Sequence, residues 1–159
     1  QNNLLEWKDA EAGVPWGVLL LFGGGLSLAA AAQSSGLAAW IGGSMPTGLN
    51  IFLLVIIFTT LIIFLTELTS NLATTATFLP IVAIIATQFG FNPLLLTASI
   101  AIAASCAFML PVATPPNAIV FGSELIKVPQ MMRAGIAINL IAIIIVSLAG
   151  IYLVPYFLI

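Results

Sequence analysis

The chain has 159 residues, 62% of them apolar and 5% charged, with three basic and five acidic side chains giving a formal net charge of −2. A soluble domain carries about 25% charged residues, so a surface of this size cannot be solvated and the sequence reads as an integral membrane protein. Nucleic-acid binding is excluded by the missing basic face, His-dependent catalysis by the absence of histidine, and a disulfide framework by the single Cys106. The chain opens on Gln1 rather than Met, and its first stretch, to Gly13, is polar and acidic, unlike a signal peptide. It is therefore expected to begin inside a longer protein.

A charge-free apolar run over residues 15–32 is long enough to cross a hydrocarbon core of ~30 Å. Gly23, Gly24 and Gly25 in its middle suit close approach by another helix; a phosphate-binding loop would need a strand before them and an acid after, and neither is present. Residues 33–48 are too poor in apolar side chains to span, and predict a short interfacial helix with Trp40 at headgroup level. Over 49–88, two apolar arms flank the polar stretch Thr66-Glu67-Leu68-Thr69-Ser70-Asn71. Either both arms cross, with that stretch at the far surface, or they form a re-entrant hairpin whose tip is buried in protein. Ser70 or Asn71 caps the second arm.

The run over 92–126 exceeds one straight span and is interrupted by Pro111 and by Ala113-Thr114-Pro115-Pro116-Asn117. Two successive prolines predict a discontinuous helix restarting near Asn117, with carbonyls free on one side and N–H groups on the other. Residues 134–158 read as a closing span. Lys8, Lys127 and Arg133 fall on one side under either reading of the hairpin, because its arms count as two crossings or none. The positive-inside rule makes that side cytoplasmic and leaves the C-terminus outside.

No basic side chain lies between Asp9 and Lys127. An anion handled here would meet the helix N-termini at Asn71 and near Asn117, each worth about half an elementary charge. Carbonyls and the hydroxyls of Thr66, Thr69, Ser70 and Thr114 suit a hard cation such as sodium. Two polar breaks facing each other are the arrangement of secondary transporters built from inverted repeats. The plainer reading is that Thr, Ser and Asn bond a neighbouring helix and that Pro-Pro only kinks one. Glu67 stays open between a functional intramembrane carboxylate and one that is protonated or reaches solvent. Cys106 and Met109 read as packing. With no histidine, no paired acids and one cysteine, the chain is not expected to be an enzyme.

The runs TELTSNLATTATFLPI (66–81) and FMLPVATPPNAIVFGS (108–123), preceded by VPWGVLLLFGGGLSLA (14–29), resemble the divalent anion/sodium symporter family. This INDY-like group, solute carrier family 13, includes sodium-coupled dicarboxylate, citrate and sulfate carriers. The resemblance implies an all-α membrane protein: the C-terminal inverted repeat of a secondary transporter, with a re-entrant helical hairpin and a discontinuous transmembrane helix. The other repeat would lie in a missing N-terminal half, and the carrier would be a homodimer of the plasma or inner membrane. By likeness, Ser70 and Asn71 would touch the substrate carboxylate, with Thr114 and Pro115 opposite. Thr66, the Thr69 backbone, Asn71 and Ala113 would surround Na+. Leu72 stands where the family often has Thr, which leaves dicarboxylate, tricarboxylate and sulfate open. The implied function is sodium-coupled symport, by alternating access, of a C4-dicarboxylate such as succinate or malate, or of citrate. A sodium-independent anion exchanger of the same fold, or a sulfate carrier, is the alternative.

Overall fold

The computed structural model describes residues 7–14, 16–37, 40 and 50–158, and every regular element among them is a helix. Helix α1 (Trp7–Gly13) is short and exposed. It turns into α2 (Trp16–Ser34) through the Trp16 indole, which donates to the Glu11 carbonyl at 3.0 Å and lies 6.0 Å from the Trp7 ring. Most of the stretch expected as an interfacial helix lies outside the described residues. Gln33 and Ser34 close α2, and Trp40 is exposed.

The arms flanking the polar stretch are α3 (Ile51–Thr66) and α4 (Asn71–Gln88). The interrupted run forms α5 (Pro93–Ala103) and α6 (Pro115–Gly122), and α7 (Val128–Leu158) closes the chain. Starts are fixed by side-chain caps. Asn50 accepts from Leu53 N at 2.9 Å and Asn92 from Leu94 N at 3.0 Å, the latter followed by Pro93 with its φ already helical.

Helix α5 is the hub. It packs on α3, α4 and α7, while α2 lies along α4, and the two arms of the hairpin make little contact with each other. The core is built from Leu54, Val55, Ile62 and Ile63 of α3, Val82 and Ala86 of α4, and Leu96 and Ile100 of α5, all at most 1% exposed. Close approach is set by glycine where the backbones meet. A Cβ on Gly25 would stand 2.6 Å from the Ala76 carbonyl oxygen of α4, so this glycine does admit a second helix. Gly23 and Gly24 face open space.

Burial is inverted relative to a soluble helix. On α7, Asn139 and Ser147 point inward at 0% and 2% exposure, while Ile141, Ile144 and Ile145 stand outward at 56% or more. Apolar outside and polar inside is the distribution a bilayer imposes. Lengths vary accordingly. At 1.5 Å per residue, α7 with 31 residues reaches roughly 46 Å, whereas α3 with 16 and α5 with 11 stop at roughly 24 and 16 Å, short of a ~30 Å core.

The interruption opens at Ala104, ahead of Pro111, Pro115 and Pro116, and continues to Thr114. Helix α6 then restarts at Pro115 rather than at Asn117, because a proline at the first helical position needs no partner for its missing N–H.

Candidate functional site

The site is assembled by the turn between α3 and α4 and by the end of the interruption. The turn is fastened by hydroxyls. Thr69 Oγ1 donates to the Leu65 carbonyl at 2.9 Å and lies 2.6 Å from Thr74 Oγ1, which donates to the Ser70 carbonyl at 3.0 Å. Ser70 caps α4 by accepting from Ala73 N at 3.4 Å, and Asn71 is the first helical residue. Opposite, Thr114 caps α6 by accepting from Asn117 N at 3.4 Å. Glu67, Leu68, Thr69, Ser70, Asn71 and Leu72 from one side, and Val112, Ala113 and Pro115 from the other, line a cleft of about 560 Å³. No lysine or arginine is among these lining residues.

Of the expected substrate contacts, Ser70, Asn71 and Pro115 share this cleft, and Thr114 stands just behind as the cap of α6. The two helix ends differ in what they offer. In the first turn of α4 the N–H groups of Asn71 and Leu72 have no helical partner, while Ala73 N is taken by Ser70 Oγ. Pro115 and Pro116 have no N–H at all, Asn117 N is taken by Thr114 Oγ1, and Ala118 N donates to the Thr114 carbonyl at 3.1 Å. The expectation of free amides after the break therefore fails at α6. That end contributes its dipole and the Thr114 hydroxyl.

Of the expected cation ligands, Thr66 and Asn71 meet directly. Thr66 Oγ1, fully buried, lies 2.7 Å from Asn71 Oδ1 and 2.9 Å from the Ala104 carbonyl. Thr69 and Ala113 line the adjoining cleft. A hydroxyl has one proton, so three oxygens converge with a single donor between them. An all-oxygen, acceptor-rich cluster suits a hard cation. Among the described residues no group of His, Cys, Asp and Glu could hold a transition metal. Ala104 carries no signal in the sequence, because its carbonyl is freed by where α5 happens to end.

Glu67 does not reach solvent. It is 4% exposed, and its Oε1 accepts from Phe108 N at 2.8 Å, Met109 N at 2.9 Å and Asn139 Nδ2 at 2.8 Å, while Oε2 accepts from Leu110 N at 3.1 Å. Asn117 also has a role beyond the cap: its Nδ2 donates to the carbonyls of Ala107 at 2.9 Å and Leu110 at 3.0 Å. A separate cavity of about 470 Å³ between α6 and α7 is lined mainly by apolar side chains such as Val120, Met131 and Ile138, and gives an anion little to bind.

Fold and cleft together define an all-α membrane protein. The chain belongs to the sodium:sulfate symporter family: the model of that family's transmembrane region matches residues 2–159. This is a family of transporters, not enzymes, and sodium is its coupling ion. Two relatives, each called sodium-dependent dicarboxylate transporter SdcS, align over 156 residues. The one from Staphylococcus saprophyticus is 45% identical and the one from Staphylococcus aureus strain MRSA252 48% identical. Each alignment covers 97% of this chain but 30% of the relative, so the chain spans under a third of the length of these relatives.

Proposed function

We propose that this chain forms the C-terminal part of a sodium-coupled symporter for a small divalent anion, a C4-dicarboxylate such as succinate or malate. The observation that carries the reading is the convergence of Thr66, Asn71 and Ala104 oxygens beside the cleft. Sodium enters here as co-transported cargo. Bound among Thr66, Asn71 and Ala104, with the Thr69 and Ala113 backbones nearby, it puts a full positive charge next to a cleft that has no basic side chain. A dianion facing the Ser70 hydroxyl, the first amides of α4 and two helix dipoles, with the Glu67 carboxylate in the same lining, is poorly compensated without it. Anion affinity therefore depends on sodium, and this dependence is the coupling. The relatives' names favour dicarboxylate.

In this reading α3 and α4 form a re-entrant hairpin, consistent with the shortness of α3 and with the burial of Glu67 in its turn. Hairpin and interruption move as one body against the remaining spans, in a homodimer whose C-termini lie outside. The test is uptake of labelled succinate by the full-length protein in liposomes, with an inward sodium gradient or with potassium substituted. Uptake that requires sodium supports symport. Uptake that ignores sodium but is stimulated by internal dicarboxylate means an exchanger, and sulfate uptake in place of succinate corrects the substrate. Asn71→Ala is expected to abolish sodium-driven uptake while insertion into the membrane persists. Normal uptake by that variant would sink the site assignment.

A further inference from the structure

Glu67 is the one charged side chain buried among the described residues, and its partners there are a backbone turn and an amide rather than a cation. Three successive N–H groups, from Phe108, Met109 and Leu110, wrap its two oxygens, a concave backbone site for an anionic group. The carbonyls of the same short stretch, Ala107 and Leu110, are held by the Asn117 amide of α6. From below, the stretch rests on Gly135 of α7, where a Cβ would stand 2.5 Å from Met109 Cα and overlap the Phe108 carbonyl. One turn of irregular backbone is thus pinned by its donors to the hairpin tip and by its acceptors to α6.

We propose that Glu67 and Asn117 are positioning residues that latch the hairpin tip to the start of α6, holding the two walls of the cleft at one spacing while they move together. The consequence for transport rests on the symport reading above; the latch itself does not. Backbone N–H groups can only donate, so the latch requires an acceptor at both Glu67 oxygens. Glu67→Gln keeps the shape but turns an NH2 toward a donor. Glu67→Asp keeps the acceptors on a shorter arm.

Cys106 lies in the same interrupted segment and is half-buried, its thiol directed at the Ile102 carbonyl at 3.4 Å, so its reactivity reports whether the segment is held. The experiment is maleimide labelling of Cys106 in the full-length protein in liposomes, any other cysteines replaced by serine, alongside sodium and succinate titrations of uptake. Losing a charge-assisted hydrogen bond is expected to raise the labelling rate of Glu67→Gln roughly tenfold or more. The succinate KM and the half-saturating sodium concentration rise together, and Glu67→Asp recovers part of both. A residue that only stabilised the fold would lower yield and leave the surviving carriers with the parental labelling rate and KM, and that result overturns the latch. If Glu67→Gln does not reach the membrane, Asn117→Ala decides by the same two readings. Raised labelling in a protein with no sodium-driven uptake keeps the latch and removes the transport reading; sodium-driven uptake with parental labelling does the reverse.

Discussion

Gly25 offers a test in which neighbouring, chemically identical substitutions take opposite signs. In Gly25→Ala the new methyl would stand 2.6 Å from the Ala76 carbonyl oxygen, where ordinary contact starts at 3.4 Å, so α2 and α4 must part by about 0.8 Å. A gap of that size forfeits roughly a quarter to a half of each dispersion contact along the facing surface. Overpacking of this kind costs about 1–3 kcal/mol. Against it stands a gain of about 1 kcal/mol for replacing a helix-interior glycine by alanine, which leaves a net destabilisation of up to about 2 kcal/mol. Gly24→Ala meets nothing within 4 Å and keeps only the gain. Thermal melting of the detergent-solubilised full-length protein, followed by size-exclusion recovery, separates the two. Gly25→Ala should melt below the parent and Gly24→Ala at or above it. Equal melting of the two variants would refute the close packing of α2 on α4.

At the cation cluster, Thr66→Val keeps the volume but leaves the buried Ala104 carbonyl without its donor, a loss of about 1–3 kcal/mol. The sodium titration of uptake should shift to at least roughly tenfold higher concentration; an unchanged curve would remove Thr66 from the site. In Gly150→Ala the new methyl would overlap the Ser99 side chain. Destabilisation of about 1–3 kcal/mol is expected, with Ser99→Ala relieving most of it. A double-mutant melting cycle showing less than about 0.5 kcal/mol of coupling would argue against that contact.

Much of the architecture is legible in the sequence because its signals are local. Asn50, Ser70 and Asn92 mark helix starts as caps do anywhere. The meeting of Ser70, Asn71 and Pro115 in one cleft follows from two polar breaks in an otherwise apolar chain. What the sequence hides is set by distant backbone. Nothing in SIAIAASCAF foretells that α5 ends at Ala103, since the N–H groups a few residues later are taken by a carboxylate just past the end of α3. Glu67 is conspicuous as an intramembrane acid, yet its partners carry no side-chain signature. The lack of amide donors at the start of α6 was readable in Pro115-Pro116, because each proline removes one.

The distances along the chain between Glu67 and its partners also set an order of assembly. Its backbone donors lie 41 to 43 residues further on, and Asn139 lies 72 residues further on. At synthesis rates of about 5–20 residues per second, Asn139 leaves the ribosome roughly 4–14 s after Glu67. For roughly the first 2–9 s of that interval a carboxylate that ends up buried has none of these four donors, and Asn139 is the last of them to arrive. The hairpin tip must therefore stay in contact with water or the translocon until the interrupted segment is made, and its last donor comes only with α7. Insertion of this unit is completed by its last helix rather than proceeding span by span from the first.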